Sequence, residues 1–192
     1  MNAVPVLRHM DSIRKISTSL PGVFILEPRV FGDERGFFLE SYNEKVFADL
    51  GVAERFVQDN HSKSRKNVLR GLHYQIQHPQ GKLVRVVEGE ILDVAVDLRR
   101  SSPTFAGWEA VRLSGENKRV MWIPAGFAHG FRVVSEQAHV LYKTTDYYAP
   151  EFERTLAWND PQLKIDWELG GDPIVSAKDQ RGALLSDAET FD

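Results

Sequence analysis

At 192 residues the chain suits one ordinary domain with a continuous core that needs neither metals nor staples. Charged residues make up 27% and the formal net charge is -3 at pH 7, which excludes a long-range field drawing the protein onto nucleic acid or an anionic bilayer. Cysteine is absent, which excludes a disulfide framework and any thiolate metal site, and fits the reducing cytoplasm expected for this chain.

The opening stretch MNAVPVLRHMDSIRK lacks the unbroken apolar core of a signal peptide, and nothing later approaches the roughly 18 apolar residues of a membrane span. Residues 1–18 are therefore expected to be a flexible extension and residues 19–192 a single domain. Short β-branched or aromatic runs predict strands at 23–26 and 37–42. A helix follows at 44–50, with Asn43 as its cap and Gly51 as its terminator. Further strands are expected at 68–75, 82–87 and 91–98, the last two forming an antiparallel hairpin through Glu88-Gly89-Glu90. In 91–98 the alternation of Leu92, Val94, Val96 and Leu98 with Asp93 and Asp97 predicts a half-buried strand. Strands at 108–113, 120–123, 130–134 and 140–146 complete the series, and the segment after Pro173 offers room for one or two short helices. There is no repeat, low-complexity tract or linker. Many strands and few helices predict an all-β sandwich or barrel, most simply a jelly roll.

Such a barrel has a packed end and an open mouth, where inward polar side chains make a site. Strict alternation along Arg70-Gly71-Leu72-His73-Tyr74-Gln75 places Arg70, Leu72 and Tyr74 on one face and Gly71, His73 and Gln75 on the other. His73 is a candidate base, although a lone strand histidine is more often structural than catalytic. The segment Ile123 to Phe131 uses Pro and Gly to bend the chain and deliver His129 at the start of a strand, an arrangement similar to the second motif of the cupin barrels. Many cupins bind a metal through three histidines and a glutamate. Here the first motif reads His73-Tyr74-Gln75 in place of HxH, and His9, His61, His78 and His139 stand at other spacings, so no metal site is expected. A barrel histidine can then act as a Brønsted base. Its natural counterpart is a phenol from the tyrosine-rich strand end Tyr142, Tyr147, Tyr148, because tyrosine is a competent acid toward an enolate. Taken singly, each of these tyrosines also suits amphipathic barrel packing.

The ordered segments Phe31 with Asp33 to Glu40, Gln58 to Ser62, Arg70 to Gln75, Gln80 to Arg85, Pro124 to Phe131, Tyr142 to Tyr148, Trp158 to Pro161 and Ser176 to Asp179 together resemble the dTDP-4-dehydrorhamnose 3,5-epimerases, the RmlC-like cupins. They span about residues 21 to 182. The resemblance implies a cupin-type double-stranded β-helix, or jelly-roll, barrel with a few short peripheral helices. It implies double epimerisation of a dTDP-4-dehydro-6-deoxy sugar without a cofactor. Carried over by position, His73 is the base, Asp179 orients it and Tyr142 donates the proton. Lys82 stabilises the enolate, a contribution of roughly 3 to 4 kcal/mol for groups of this type. Arg35, Arg70 and Lys178 fall at or near the phosphates, and Phe31 and Tyr148 flank the thymine. Phe38, Glu40, Gln58, Asp59, Asn60, His129 and Glu153 match further binding positions. The resemblance also implies a homodimer in which the segment around Arg35 and Glu40 crosses into the neighbouring subunit. A single-centre epimerase, a metal-dependent cupin and a non-catalytic sugar-nucleotide binding module remain as alternatives at this stage.

Overall fold

The computed structural model describes residues 13–192. Its fourteen strands form two large sheets packed face to face and one small hairpin. The first sheet contains β1 (Ile13–Ser17), β2 (Phe24–Pro28), β10 (Val120–Ile123), β7 (Lys82–Glu88), β12 (Gln137–Thr144) and β5 (Gln58–Arg65), in that spatial order. The second runs β13 (Glu153–Thr155), β6 (Val68–Gln75), β11 (Phe127–Val133), β8 (Glu90–Asp97) and β9 (Trp108–Ser114), with β14 (Ile174–Val175) parallel to β6. The third is the hairpin β3 (Phe31–Asp33) and β4 (Gly36–Phe38). One helix, α1 (Glu44–Asp49), is capped by the Asn43 side chain accepting from Val46 N at 3.3 Å, as expected. This is the all-β jelly-roll architecture that the strand pattern predicts.

Three apolar clusters hold the layers together. Val84, Val86, Ile91, Ala95, Met121, Phe131 and Val140 belong to the cluster between the sheets. The outer face of the second sheet is covered by the largely irregular chain after β13, through Leu156, Leu163, Trp167 and Leu185. The outer face of the first sheet is covered by α1, through Val46 and Phe47 against Leu83 and Trp122. Helices being few, irregular chain does much of the covering that helices perform elsewhere.

Several sequence expectations are corrected. Residues 13–17 lie within the expected extension but form β1, paired with β2; residues 1–12 lie outside the described residues. The strand expected at 37–42 ends at Phe38. After Pro173 there is a short β14 and one turn of 3₁₀ helix, Asp179–Arg181. The polar run Gln58–Arg65, which lacks β-branched residues, is a full strand paired along its length with β12.

The expected hairpin between 82–87 and 91–98 does not form. The hydrogen-bonded neighbours of β7 are β10 and β12, whereas those of β8 are β11 and β9, so the chain crosses from one sheet to the other at Gly89. A glycine between two apolar runs serves a corner as well as a hairpin, and only the other strands decide which. Nor is β8 half-buried: Asp93 and Asp97 are both 0% exposed. Both faces of the second sheet are covered, so these carboxylates require partners inside the protein. Asp97 receives hydrogen bonds from Arg99, Ser102 and Thr104, and Asp93 is paired with His129. Among the described residues, no helix is long and apolar enough to cross a membrane.

Gly89 adopts φ +78°, and a Cβ there would lie 1.9 Å from the Gln137 carbonyl oxygen. Gly89→Ala is expected to lower stability by about 2 to 5 kcal/mol, the sum of left-handed backbone cost and overpacking. Gly170→Ala, where a Cβ meets nothing within 4 Å, is expected to change it by less than about 0.5 kcal/mol. Denaturant unfolding of the two variants checks both values.

Candidate active site

A cavity of about 370 Å³ opens between the two sheets at one end of the barrel. Its position follows from the pleat. On β7 the inward residues are Lys82, Val84 and Val86, and on β12 their register partners are Thr144, Tyr142 and Val140. The valines are in the core, while Lys82 and Tyr142 line the cavity. One face of each strand thus passes from apolar at the packed end to polar at the mouth. On β5, Gln58, Asn60 and Ser62 line the same cavity two residues apart.

The opposite wall comes from β6 and β11. His73 and His129 are register partners on these strands, and both line the cavity together with Arg70. Arg70 and His73 are three residues apart, which strict alternation would assign to opposite faces. The register shifts between His129 and Phe131, and Gly71 takes φ +116° where a Cβ would lie 2.6 Å from the Gly130 Cα. Two facing glycines let the backbones close together and break the alternation, so both side chains reach the cavity.

His73 Nε2 lies 2.7 Å from Asp179 Oδ1, and the other carboxylate oxygen accepts from Gly71 N at 3.2 Å. Asp179 is only 4% exposed. Burial alone would raise its carboxyl, but bonding and charge from His73, with hydrogen bonds from Gly71 and Ser176, hold it below the ordinary carboxylate range. An ionised Asp179 assigns the ring proton to Nε2 and leaves Nδ1 as the free basic nitrogen. A second such pair stands beside it, His129 Nε2 with Asp93 Oδ1 at 2.7 Å.

Lys82 is 8% exposed, and its ammonium donates to the His73 carbonyl at 3.1 Å. Burial pushes this amine down to about 8, while the charges of Glu153 and Asp93 act to raise it. Burial raises the Tyr142 phenol above its ordinary value, opposed by the Arg70 charge and reinforced by Glu153. At the mouth Glu153 accepts from the Tyr148 hydroxyl at 2.9 Å and pairs with Lys178 at 2.6 Å. Burial would raise Glu153, but these two partners and the His73 charge bring it below its ordinary value.

Of the sequence-predicted site residues, the structure brings His73, Tyr142, Lys82, Gln58, Asn60, Arg70, His129, Tyr148 and Glu153 to one cavity. Asp179 stands behind His73, and Lys178 adjoins through Glu153. Asp59 does not join them: as the odd-numbered neighbour on β5 it faces outward and pairs with Lys143 at 2.8 Å. Phe31, Arg35 and Phe38 sit on the β3–β4 hairpin, outside this cavity, and Glu40 accepts from Asn43 before α1. Ser62, Gln75, Gln80 and Phe131 line the cavity without having been anticipated. Period-2 extension from Gln58 and Asn60 would have found Ser62, had β5 been recognised as a strand. Among the described residues, no three His, Asp or Glu side chains cluster closely enough to hold a metal.

The sequence pattern of the dTDP-4-dehydrorhamnose 3,5-epimerase family matches residues 17–187. A dTDP-4-dehydrorhamnose 3,5-epimerase of Pseudomonas aeruginosa is 62% identical over 174 residues, which is 90% of this chain and 96% of that one. Its counterpart in Salmonella typhimurium is 58% identical, over 90% of this chain and 96% of that one. The crystal structure of dTDP-6-deoxy-D-glucose-3,5-epimerase RmlC from Legionella pneumophila, in complex with dTDP-4-keto-L-rhamnose, superposes with a TM-score of 0.90 at 54% identity, covering 92% of this chain and 95% of that one. With the sequence pattern, the relatives and the fold in agreement over nearly the whole described chain, the protein belongs to the dTDP-4-dehydrorhamnose 3,5-epimerase family.

Proposed function

We propose that this protein inverts C3 and C5 of dTDP-4-dehydro-6-deoxy-D-glucose to give dTDP-4-dehydro-L-rhamnose. The observation that carries the reading is the placement of a carboxylate-held imidazole and a half-buried phenol on opposed sheets of one cavity, with a buried ammonium beside them.

The substrate ketone makes the hydrogens on both flanking carbons acidic, and deprotonation moves the C–H electron pair into an enolate. His73 Nδ1 takes the proton, and Asp179 stabilises the imidazolium that results. The Lys82 ammonium stabilises the enolate oxygen where water is largely excluded. Tyr142 returns a proton to the other face, inverting the centre. Each inversion leaves an imidazolium and a phenolate, so one proton moved from ring to ring restores the starting state. The ketone supplies the carbon acidity, so this chemistry calls for no added cofactor. Arg70 and Lys178 suit the diphosphate, and Tyr148 offers a flat ring at the mouth for the thymine. A cytoplasmic setting fits a chain without cysteine.

The site is further proposed to be shared between two copies of the chain. Phe31, Phe37 and Phe38 are 44%, 60% and 70% exposed on the β3–β4 hairpin, an apolar surface that a single chain leaves open to water. Arg35 stands at the tip of the same hairpin, away from its own cavity. A homodimer in which the hairpin reaches the neighbouring mouth would cover the phenylalanines and supply Phe31, Arg35 and Phe38 to the nucleotide.

In deuterated water, solvent deuterium is expected at both C3 and C5; exchange at one carbon alone would make the protein a single-centre epimerase. His73→Asn is expected to abolish exchange while changing dTDP affinity by less than about threefold, since the base meets the sugar and not the phosphates. Asp179→Asn is expected to lower kcat by about 10² to 10⁴-fold through loss of ring orientation.

Because the charged Lys82 is the active form, kcat/KM is expected to fall as pH rises through about 8. Lys82→Met is expected to lower kcat about 10² to 10³-fold and remove that limb from the residual activity. A limb that persists unchanged in the variant would assign it to another group.

Wild-type protein is expected to sediment as a dimer. Phe37→Glu with Phe38→Glu is expected to shift it to the mass of one chain and to weaken substrate binding, measured by sedimentation and KM together.

A further inference from the structure

The mouth of the cavity is built from a loop, residues 145–149, that follows β12 and carries Tyr148. Loops at a mouth move unless their backbone groups are tied down. In this one the ties converge on Gln75, the last residue of β6. Its side-chain nitrogen donates to the Tyr147 carbonyl at 3.2 Å and to the His78 carbonyl at 2.7 Å. Its side-chain oxygen accepts from Ala149 N at 2.9 Å. The residues on either side of Tyr148 are therefore bound to the same amide. Gln58 accepts from Tyr148 N, and Gln80 donates to the Asp146 carbonyl, but of the three glutamines Gln75 alone is buried, at 3% exposure.

The position of Gln75 links this loop to the rest of the site. It lies two residues beyond His73 on the same strand, and its register partner on β13 is Glu153, the residue that receives the Tyr148 hydroxyl. Tyr148 is thus held at its backbone through Gln75 and at its ring through the residue paired with Gln75. A glutamine is suited to this place: its amide offers donors to two carbonyls and an acceptor to an N–H, whereas a carboxylate would face both carbonyls without a proton to give. With both ends of the amide engaged and the side chain buried, its hydrogen bonds serve the protein and not a ligand.

We propose that Gln75 is a positioning residue for nucleotide binding, fastening the 145–149 loop to the strand of the base so that the Tyr148 ring stands ready at the mouth. The inference rests on the reading of Tyr148 as the platform for the thymine. It predicts a division of labour along β6, in which His73 governs turnover and Gln75, two residues on, governs affinity. Preorganisation of this kind acts by sparing the ordering of a loop on binding.

The test is a cycle of Gln75→Leu, Tyr148→Ala and the double variant, read by calorimetric titration with dTDP and by steady-state turnover. Gln75→Leu is expected to weaken dTDP binding about tenfold and raise KM in step, with kcat within about threefold. The double variant is expected to bind no more weakly than Tyr148→Ala alone, because the loop matters only through that ring. Gln75→Met keeps the length of the side chain without its hydrogen bonds, so a similar loss of affinity is expected from it even if Gln75→Leu fails to fold. Full additivity in the cycle, or a fall in kcat with dTDP affinity kept, overturns the inference. If Tyr148→Ala weakens dTDP while neither Gln75 variant does, the inference fails alone. If Tyr148→Ala binds dTDP like the wild type, the platform reading fails, and the inference falls with it.

Discussion

The hydrogen bond between His73 and Asp179 joins residues 106 positions apart, and much of the architecture serves to make it. His73 stands on an inner strand of the second sheet. Asp179 arrives only after the chain has crossed the outside of that sheet, burying Leu156, Leu163 and Trp167 against it, and has laid β14 alongside β6. The Gly71 amide then fixes the second carboxylate oxygen. Covering a sheet and fixing the His73 imidazole are one structural event here, so a segment with little regular structure is as much part of the candidate site as the strands are.

Inside the cavity the charges are arranged by exclusion of water. An ammonium buried as deeply as Lys82 is costly: burial pushes the amine down to about 8, and the charges of Glu153 and Asp93 offset part of that desolvation. Asp93 in turn is committed to His129, and Glu153 to Tyr148 and Lys178. Lys82 therefore feels carboxylates nearby without a salt bridge to either among the described residues, its ammonium donating to the His73 carbonyl. An ammonium so placed can turn to a developing negative charge without first breaking a strong pair.

The same economy explains the mouth. Tyr148 is more than half exposed, at 53%, yet its backbone and hydroxyl are both bonded. An exposed aromatic ring on a fastened loop presents a surface at small entropic cost. The β3–β4 hairpin is the opposite case, apolar and exposed but apart from the cavity that holds His73, and a second copy of the chain is the covering proposed for it.

Much of the site was legible in the sequence. The tyrosine-rich strand end that holds Tyr142 and the helix cap at Asn43 follow from local chemistry, whereas Lys82 is pointed to only by the family resemblance. Residue types also point to His73 as a candidate base and to a phenol among Tyr142, Tyr147 and Tyr148 as its counterpart, because few side chains can remove and return a carbon-bound proton. What the sequence could not supply were partnerships across the chain. The period of a strand identifies a face but not its neighbour, so the spacing of β7 and β8 suggests a hairpin although they belong to different sheets. Polarity does not exclude a strand whose inward face lines a cavity, so no local signal marks β5 as a strand or separates Asp59 from neighbours that point the other way. The broken alternation at Gly71, the burial of Asp93 and the fastening of the Tyr148 loop by Gln75 are likewise settled only by packing. Local chemistry is written residue by residue, whereas the pairing of strands and the burial of charge depend on contacts between distant segments that exist only once both sheets have closed.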